Sequence, residues 1–218
     1  MTVLLGAGML LLGAPGTGHA APAGPSGPPA APSVGYNWDQ TATPPTAAQR
    51  QRGIDEILTR MPGARQLDAR TVELQPGLRM KFRDTAEERA TGEFAAAAFV
   101  CNVGNTCAYS DRQYGGEELN FYYCSRRYNL GNVPFPGGGW WNDKISSIKN
   151  NQTSGTWSYF YNYVGGGSWK RILSLKSGNQ LSNLALDKVE GGTGSPNDMI
   201  DGVHTCGAVP SPWTPNYP

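Results

Sequence analysis

Two short clusters in this chain gather hard oxygen donors. Asn142, Asp143, Lys144, Ile145, Ser146 and Ser147 set an amide, a carboxylate and a hydroxyl close together, and Asn197, Asp198, Met199, Ile200, Asp201 and Gly202 repeat the arrangement with a carboxylate for the hydroxyl. Calcium takes about six to eight oxygens from carboxylates, amide carbonyls, hydroxyls and backbone. Asn142, Asp143 and Ser146 are therefore one candidate calcium site, and Asn197, Asp198 and Asp201 a second. With no ion, the same side chains satisfy backbone groups in a turn.

Catalysis finds little support. Of the two histidines in the chain, only His204 lies beyond the first twenty residues, so a two-histidine zinc site is excluded from the remainder. Glu117 and Glu118 are adjacent, and strand geometry would send them to opposite faces. A protein without enzymatic activity is expected.

Those clusters need elements to hold them. Ahead of the first, Cys101 and Cys107 lie close enough for one disulfide to staple a turn. Tyr109, Tyr114 and Gly116 follow, two aromatics with glycines behind them. That pattern suits a strand connection that doubles back while its rings pack, because glycine supplies positive φ without Cβ conflict. Leu119, Phe121 and Tyr123 alternate like a strand with one buried face. A weaker copy follows. Trp157-Ser158-Tyr159 is expected where Cys107-Ala108-Tyr109 stood, and Val164, Gly165 and Gly166 where Tyr114, Gly115 and Gly116 stood.

The tyrosine-and-glycine hairpin followed by Asn-Asp-x-x-Ser-Ser resembles the Greek-key unit of the βγ-crystallins. With the cysteine pair just before the tyrosine, it resembles the secreted βγ-crystallin-like peptidase inhibitor family of the bacterial metalloproteinase-inhibitor type. The likeness covers about 101–206. It implies a mainly β fold, two Greek-key units forming a sandwich, and a secreted metalloprotease as partner. It also implies that each calcium site borrows a backbone carbonyl from the other unit's hairpin. In the founding inhibitor a second close cysteine pair braces the reactive loop. Here Cys124 and Cys206 are far apart, so a looser loop and weak inhibition are expected, with 131–139 as the candidate protruding segment.

Composition narrows the remaining possibilities. Eighteen basic and seventeen acidic residues leave a net charge of +1, with no footprint for nucleic acid or an anionic membrane. Twenty-nine glycines and seventeen prolines favour turns and short strands. Residues 1–20 read as a secretory signal peptide cleaved after Ala20, and nothing later is apolar enough to span a membrane. Four cysteines on an exported chain read as two disulfides. Three connectivities are open, and spacing favours Cys101–Cys107 with Cys124–Cys206. The product is expected to be an extracellular monomer.

The chain divides into the signal (1–20), a Pro/Ala-rich linker (21–46), a helix-plus-hairpin extension with a charged connector (47–92), the βγ-crystallin-like domain (93–208) and a proline-rich tail (209–218). Thr46 and Gln49 have capping-box spacing, and Pro62-Gly63 ends the helix. Val72 and Leu74, then Leu78, Met80 and Phe82, alternate around a Pro76-Gly77 turn. So small a unit is expected to pack loosely on its neighbour. Tyr122, Tyr123, Tyr128, Trp140, Trp141, Trp157, Tyr159, Tyr161 and Tyr163 could stack on sugars of a cell-envelope component, with core packing the favoured role for most strand aromatics. A calcium-stabilised module without a peptidase target is the alternative to an inhibitor.

Overall fold

The computed structural model describes residues 44–91 and 100–208. The expected signal peptide, nearly all of the linker, the end of the connector, the start of the β domain and the 209–218 tail lie outside the described residues.

Helix α1 (Ala47–Arg60) begins with reciprocal capping: the Gln49 N–H donates to Thr46 Oγ1 at 3.2 Å, and the Thr46 N–H donates to Gln49 Oε1 at 2.7 Å. Its buried stripe includes Ile54 and Ile57. Strands β1 (Arg65–Gln66), β2 (Thr71–Gln75) and β3 (Leu78–Lys81) follow as an antiparallel meander. Gly77 turns the hairpin at φ +95°, and a Cβ there would stand 2.7 Å from the Tyr128 hydroxyl. That hydroxyl instead donates to the Gly77 carbonyl at 3.0 Å. Helix α2 (Ala86–Thr91) is tied back to α1 by two Arg50–Glu88 hydrogen bonds of 2.6 and 2.9 Å.

Eight strands make the remainder. The first unit comprises β4 (Asn105–Tyr109), β5 (Glu118–Phe121), β6 (Arg126–Asn129) and β7 (Ser147–Asn151). The second comprises β8 (Trp157–Gly165), β9 (Ser168–Lys176), β10 (Gln180–Leu181) and β11 (Gly202–Thr205). Two antiparallel sheets result, in the orders β1-β2-β3-β5-β4-β7-β10 and β6-β11-β8-β9. Each unit lends its third strand to the other unit's sheet, so the protein is a βγ-crystallin-like sandwich of two interlocked Greek keys.

Alternation along the strands builds the core between the sheets. Ala108, Leu119, Phe121 and Ile148 from the first sheet share one buried cluster with Tyr128, Phe160, Leu173, Leu175 and Val203 from the second. Each large apolar side chain so buried contributes roughly 1.5–3 kcal/mol. Where Thr106 and Ser158 meet, their hydroxyls are 2.6 Å apart with both residues fully buried.

The extension departs from the loose packing expected of it. β3 pairs with β5 in continuous register from Leu78↔Phe121 to Lys81↔Glu118, so the hairpin adds three strands to the first sheet. Ile54, Ile57, Val72, Leu74, Met80 and Phe82 join the same apolar cluster as both crystallin-like units. Behind β3, the buried Arg83 guanidinium donates to Glu117 at 2.8 Å and lies 3.5 Å from Asp111. Breaking such a buried pair by removing one partner costs about 3–5 kcal/mol. Charges that would read as solvated in a short connector are what fasten it.

Candidate functional site

The two Asn-Asp turns lie opposite one another, related by an approximate twofold arrangement of hydrogen bonds. The Asp143 N–H donates to the Ile200 carbonyl at 3.3 Å, and the Asp198 N–H donates to the Ile145 carbonyl at 3.4 Å. Both aspartates hold positive φ, 57° and 52°. Short polar side chains tolerate that conformation better than others, which is why Asp serves here. The Asn142 amide donates to Asp143 at 3.1 Å and the Asn197 amide donates to Asp198 at 2.5 Å. Farther along, Ser146 N–H donates to Tyr109 O at 2.9 Å and Asp201 N–H donates to Tyr161 O at 2.8 Å.

These pairings correct the expected alignment of the repeats. Tyr161, not Tyr159, is the counterpart of Tyr109, so the second unit is shifted by two residues from its expected register. Strand alternation misleads here, because a slip of two keeps every side chain on its face.

The two expected sets of donors meet through their aspartates: Asp143 of the first lies within reach of Asp201 and close to Asp198 of the second. A cleft of about 460 Å³ is lined by Ser110, Asp111, Gly137, Asp143, Lys144 and Asp198, among others. Asp201 is buried beside it, 8% exposed, with its carboxyl in hydrogen-bonding reach of Asp143. Burial, with the Asp143 charge adding to it, pushes Asp201 up to about 6, against a bond from the Tyr163 N–H that favours its ionised form. Burial also raises Asp198, while the Lys144 ammonium opposes that shift. Ser146 is buried and is held through its backbone to Tyr109 and Leu184. Among the described residues, no set of three or more His, Cys, Asp or Glu converges to hold a metal by those side chains. Any cation here would draw on amide, hydroxyl and backbone oxygens as well.

Two disulfides join Cys101 to Cys107 and Cys124 to Cys206. The first seats beside Tyr109, whose ring meets Tyr114 edge-on at 5.6 Å, with the Lys149 ammonium 4.0 Å from the Tyr114 ring. Gly116 completes this corner at φ +77°, where a Cβ would come within 2.0 Å of Ser110 Oγ. Ser147 fastens it from below: its hydroxyl donates to the Asp111 carbonyl at 2.6 Å and accepts from the Tyr114 N–H at 3.0 Å.

The second unit's hairpin is built otherwise. β8 and β9 stay paired out to Gly165↔Ser168, whereas β11 accompanies β8 only from Ser158 to Tyr161. The hairpin therefore runs on past its sheet. Tyr163 and Val164 near its tip are 47% and 58% exposed. The Tyr163 and Trp169 rings pack across it at 5.1 Å, the Gly167 N–H donates to the Tyr163 hydroxyl at 3.0 Å, and the Tyr163 N–H donates to Asp201 Oδ2 at 2.7 Å. The expected protruding segment, 131–139, is instead packed down. Val133 and Phe135 are buried, and Arg60 and Glu56 of α1 bond to Gly139 O and the Gly137 N–H at 2.5 and 3.2 Å. Its Gly/Pro composition resembles that of an exposed loop, and only the two apolar residues within it signal otherwise.

The aromatic strip divides. Tyr128 and Trp141 are fully buried and Tyr161 nearly so, while Tyr123, Trp140, Trp157 and Tyr163 are more than 40% exposed. His204 is buried with neither ring nitrogen partnered, and burial lowers it to about 4. It is held neutral near pH 7 and lies in strand β11, its ring 6.0 Å from that of Tyr159.

No curated protein matches the chain. Among solved structures, one described by the words "Evolution of the eye lens beta-gamma-crystallin domain fold" is 16% identical with a TM-score of 0.35, covering 50% of this chain and 95% of that one. A betagamma-crystallin from an Archaea is 25% identical with a TM-score of 0.30, covering 48% and 99%. Residues 95–172, which run from before the first disulfide into the second strand of the projecting hairpin, match the model of peptidase inhibitor family I36.

Proposed function

We propose that the protein is exported and inhibits a secreted metallopeptidase by offering its β8–β9 hairpin to the enzyme's cleft. The hairpin carries this reading: it is an extended, exposed segment, fixed in place, on a domain that matches an inhibitor family. A segment already ordered loses little freedom on binding, whereas each loose side chain costs about 0.5–1.5 kcal/mol. The close cysteine pair of the founding inhibitor is absent. Ladder pairing, the Tyr163–Trp169 contact and the Asp201 bond supply rigidity in its stead. Export is supported by two disulfides, which persist in oxidising compartments. Among the described residues, no helix is long and apolar enough to cross a membrane.

Calcium belongs to the same proposal. The donor set fits it: Asp143 and Asp201 are like charges in hydrogen-bonding reach, and Lys144 already stands as a cation beside Asp198. Asp143, Asp201 and the Asn142 amide, with Asn197, Asp198 and the Ser146 hydroxyl opposite, are the residues that would hold it. A bound ion would supply positive charge between turns of the two units and tie them together.

Titrating a thermolysin-like metallopeptidase with the full chain tests the inhibitor. Stoichiometric loss of peptidase activity is expected, relieved about tenfold or more by Tyr163→Ala or Val164→Asp. Unchanged activity across a panel of metallopeptidases would end the proposal. For calcium, the melting temperature should rise with the ion and fall with a chelator, and Asp143→Ala should remove the difference. A second reading, a module that binds envelope sugars, is favoured by exposed Trp157 and Tyr163. Retention on cell-wall polysaccharide without inhibition would select it.

A further inference from the structure

Asp201 occupies the place that Ser146 holds in the first unit, as their matched bonds to Tyr161 O and Tyr109 O establish. By the same correspondence, Tyr163 is the counterpart of Asp111. In the first unit the Asp111 N–H donates to Gly115 O at 3.1 Å, which closes the corner on itself. In the second, the Tyr163 N–H donates to Asp201 Oδ2 at 2.7 Å. The next position differs too: Ser147, whose hydroxyl grips the first corner, is matched by Gly202, which has no side chain to do so.

We propose that Asp201 is the positioning residue that keeps the second hairpin extended, by taking the backbone N–H that would otherwise close a corner like that of the first unit. The assignment deepens the inhibitor reading and rests on it only for the hairpin's purpose. Asp201 suits the task. Its backbone is fixed on both sides, N–H to Tyr161 O and carbonyl from the Leu130 N–H, each at 2.8 Å. A carboxylate reaches one bond farther than a serine hydroxyl, and its oxygen arrives at the foot of the free part of the hairpin, two residues beyond the last pairing with β11. Bonds from N–H groups to charged acceptors are short and strong, as this one is.

Hydrogen exchange on the full chain, with limited digestion by a chymotrypsin-type protease, decides it. Tyr163 and Trp169 are the reporting cleavage sites. In Asp201→Asn, whose amide oxygen still accepts, protection of the Tyr163 amide should stay within about threefold of the parent. In Asp201→Ala and Asp201→Ser it should fall by about tenfold or more, with cleavage at Tyr163 or Trp169 faster by a similar factor and the Phe160 amide unaffected. The serine variant installs the first unit's residue and keeps the test open if the alanine variant does not fold. Unaltered protection at Tyr163 in the serine variant overturns the assignment, as does equal loss in the asparagine variant. Inhibition measured on the same proteins separates the two proposals. A parent protein that inhibits nothing, yet shows this exchange pattern, retains the positioning role and loses only the peptidase partner.

Discussion

The first and second Greek-key units begin from the same plan and treat their leading hairpins in opposite ways. In the first, the chain after Tyr109 folds into a tight corner through Gln113 and Tyr114, both at positive φ, and Gly116. In the second, the chain after Tyr161 stays paired to β9 through Tyr163, with register shifts at Phe160/Tyr161 and Tyr163/Gly165, and reaches a turn at Gly165–Gly167. The corner is crowded: Gly116 has Ser110 and Asp111 against it, and Ser147 bridges beneath. The hairpin turn is open, with nothing within 4 Å of a Cβ built at Gly165, Gly166 or Gly167. One unit has spent its loop on packing, and the other has left its loop available. Function is therefore to be sought in the unit whose motif is the less regular.

Glycine replacements probe that contrast most strongly. Gly116→Val should destabilise the protein by about 3 kcal/mol or more, since it combines unfavourable φ with a clash against the Ser110 and Asp111 side chains, whereas Gly166→Ala should cost about 1 kcal/mol for its φ alone. Urea denaturation of both variants measures the gap, and equal costs would mean that the two turns are alike.

Next in size is a pH effect at matched positions. His204 stands where the first unit has Lys149, as strand pairing shows. Lys149 rests on an aromatic ring, while His204 is sealed in. The His204 pKa is depressed to about 4, so between about 6.5 and 4 the unfolded chain binds the extra proton. Stability should thus fall by about 2 kcal/mol as pH drops through that window, and His204→Gln should flatten the slope. Asp201, raised to about 6, acts in the reverse sense: its contribution is full below the ordinary aspartate range and is lost as pH rises through about 6. With calcium chelated, Asp201→Asn should therefore be more stable than the parent at pH 7 by about 1 kcal/mol. Chemical denaturation at several pH values checks both signs.

Ser147→Ala should be a milder loss of about 1–2 kcal/mol, because a buried carbonyl and N–H lose their shared partner. Thermal melting with a probe near Tyr114 would detect it. No change would mean that the corner is held by Gly116 and the rings alone.

Much of this plan is legible in the residues. Thr46 and Gln49 announce the helix, Pro76-Gly77 the turn, and alternation the faces of β2 and β3. In β5, by contrast, both faces are buried, Glu118 and Asn120 opposite Leu119 and Phe121, and Tyr123 lies exposed beyond the strand. The cysteine spacing suits the two bonds seen, and both Asn-Asp clusters stand out as polar turns. What the sequence hides is long-range. Arg83 carries no sign that Glu117 and Asp111 will bury it, so the extension reads as a loose neighbour. Val164-Gly165-Gly166 looks like a degraded corner, because nothing local reveals that Asp201, far along the chain, has taken the Tyr163 N–H. The 131–139 segment has the composition of an exposed loop, and the burial of Val133 and Phe135 in the core, with the bonds from Arg60 and Glu56, lays it flat.

The exchange of third strands between the sheets also governs the order in which the protein can be made. β6 has a single neighbour, β11, which is the last described strand, and β11 lies in the interior of its sheet rather than at the rim. The first sheet likewise waits for β10 at its far edge. During synthesis, then, β6 must remain unpaired until some seventy further residues have emerged, and the step that closes the sheet is a long-range insertion of the kind that slows folding. The Cys101–Cys107 bond can form early, within one turn of chain, while Cys124–Cys206 can join only after that insertion has brought the ends of β6 and β11 together. A species with the first bond made and the second still open is the expected stopping point on the way, and a chain cut short before Gly202 would have no route past it.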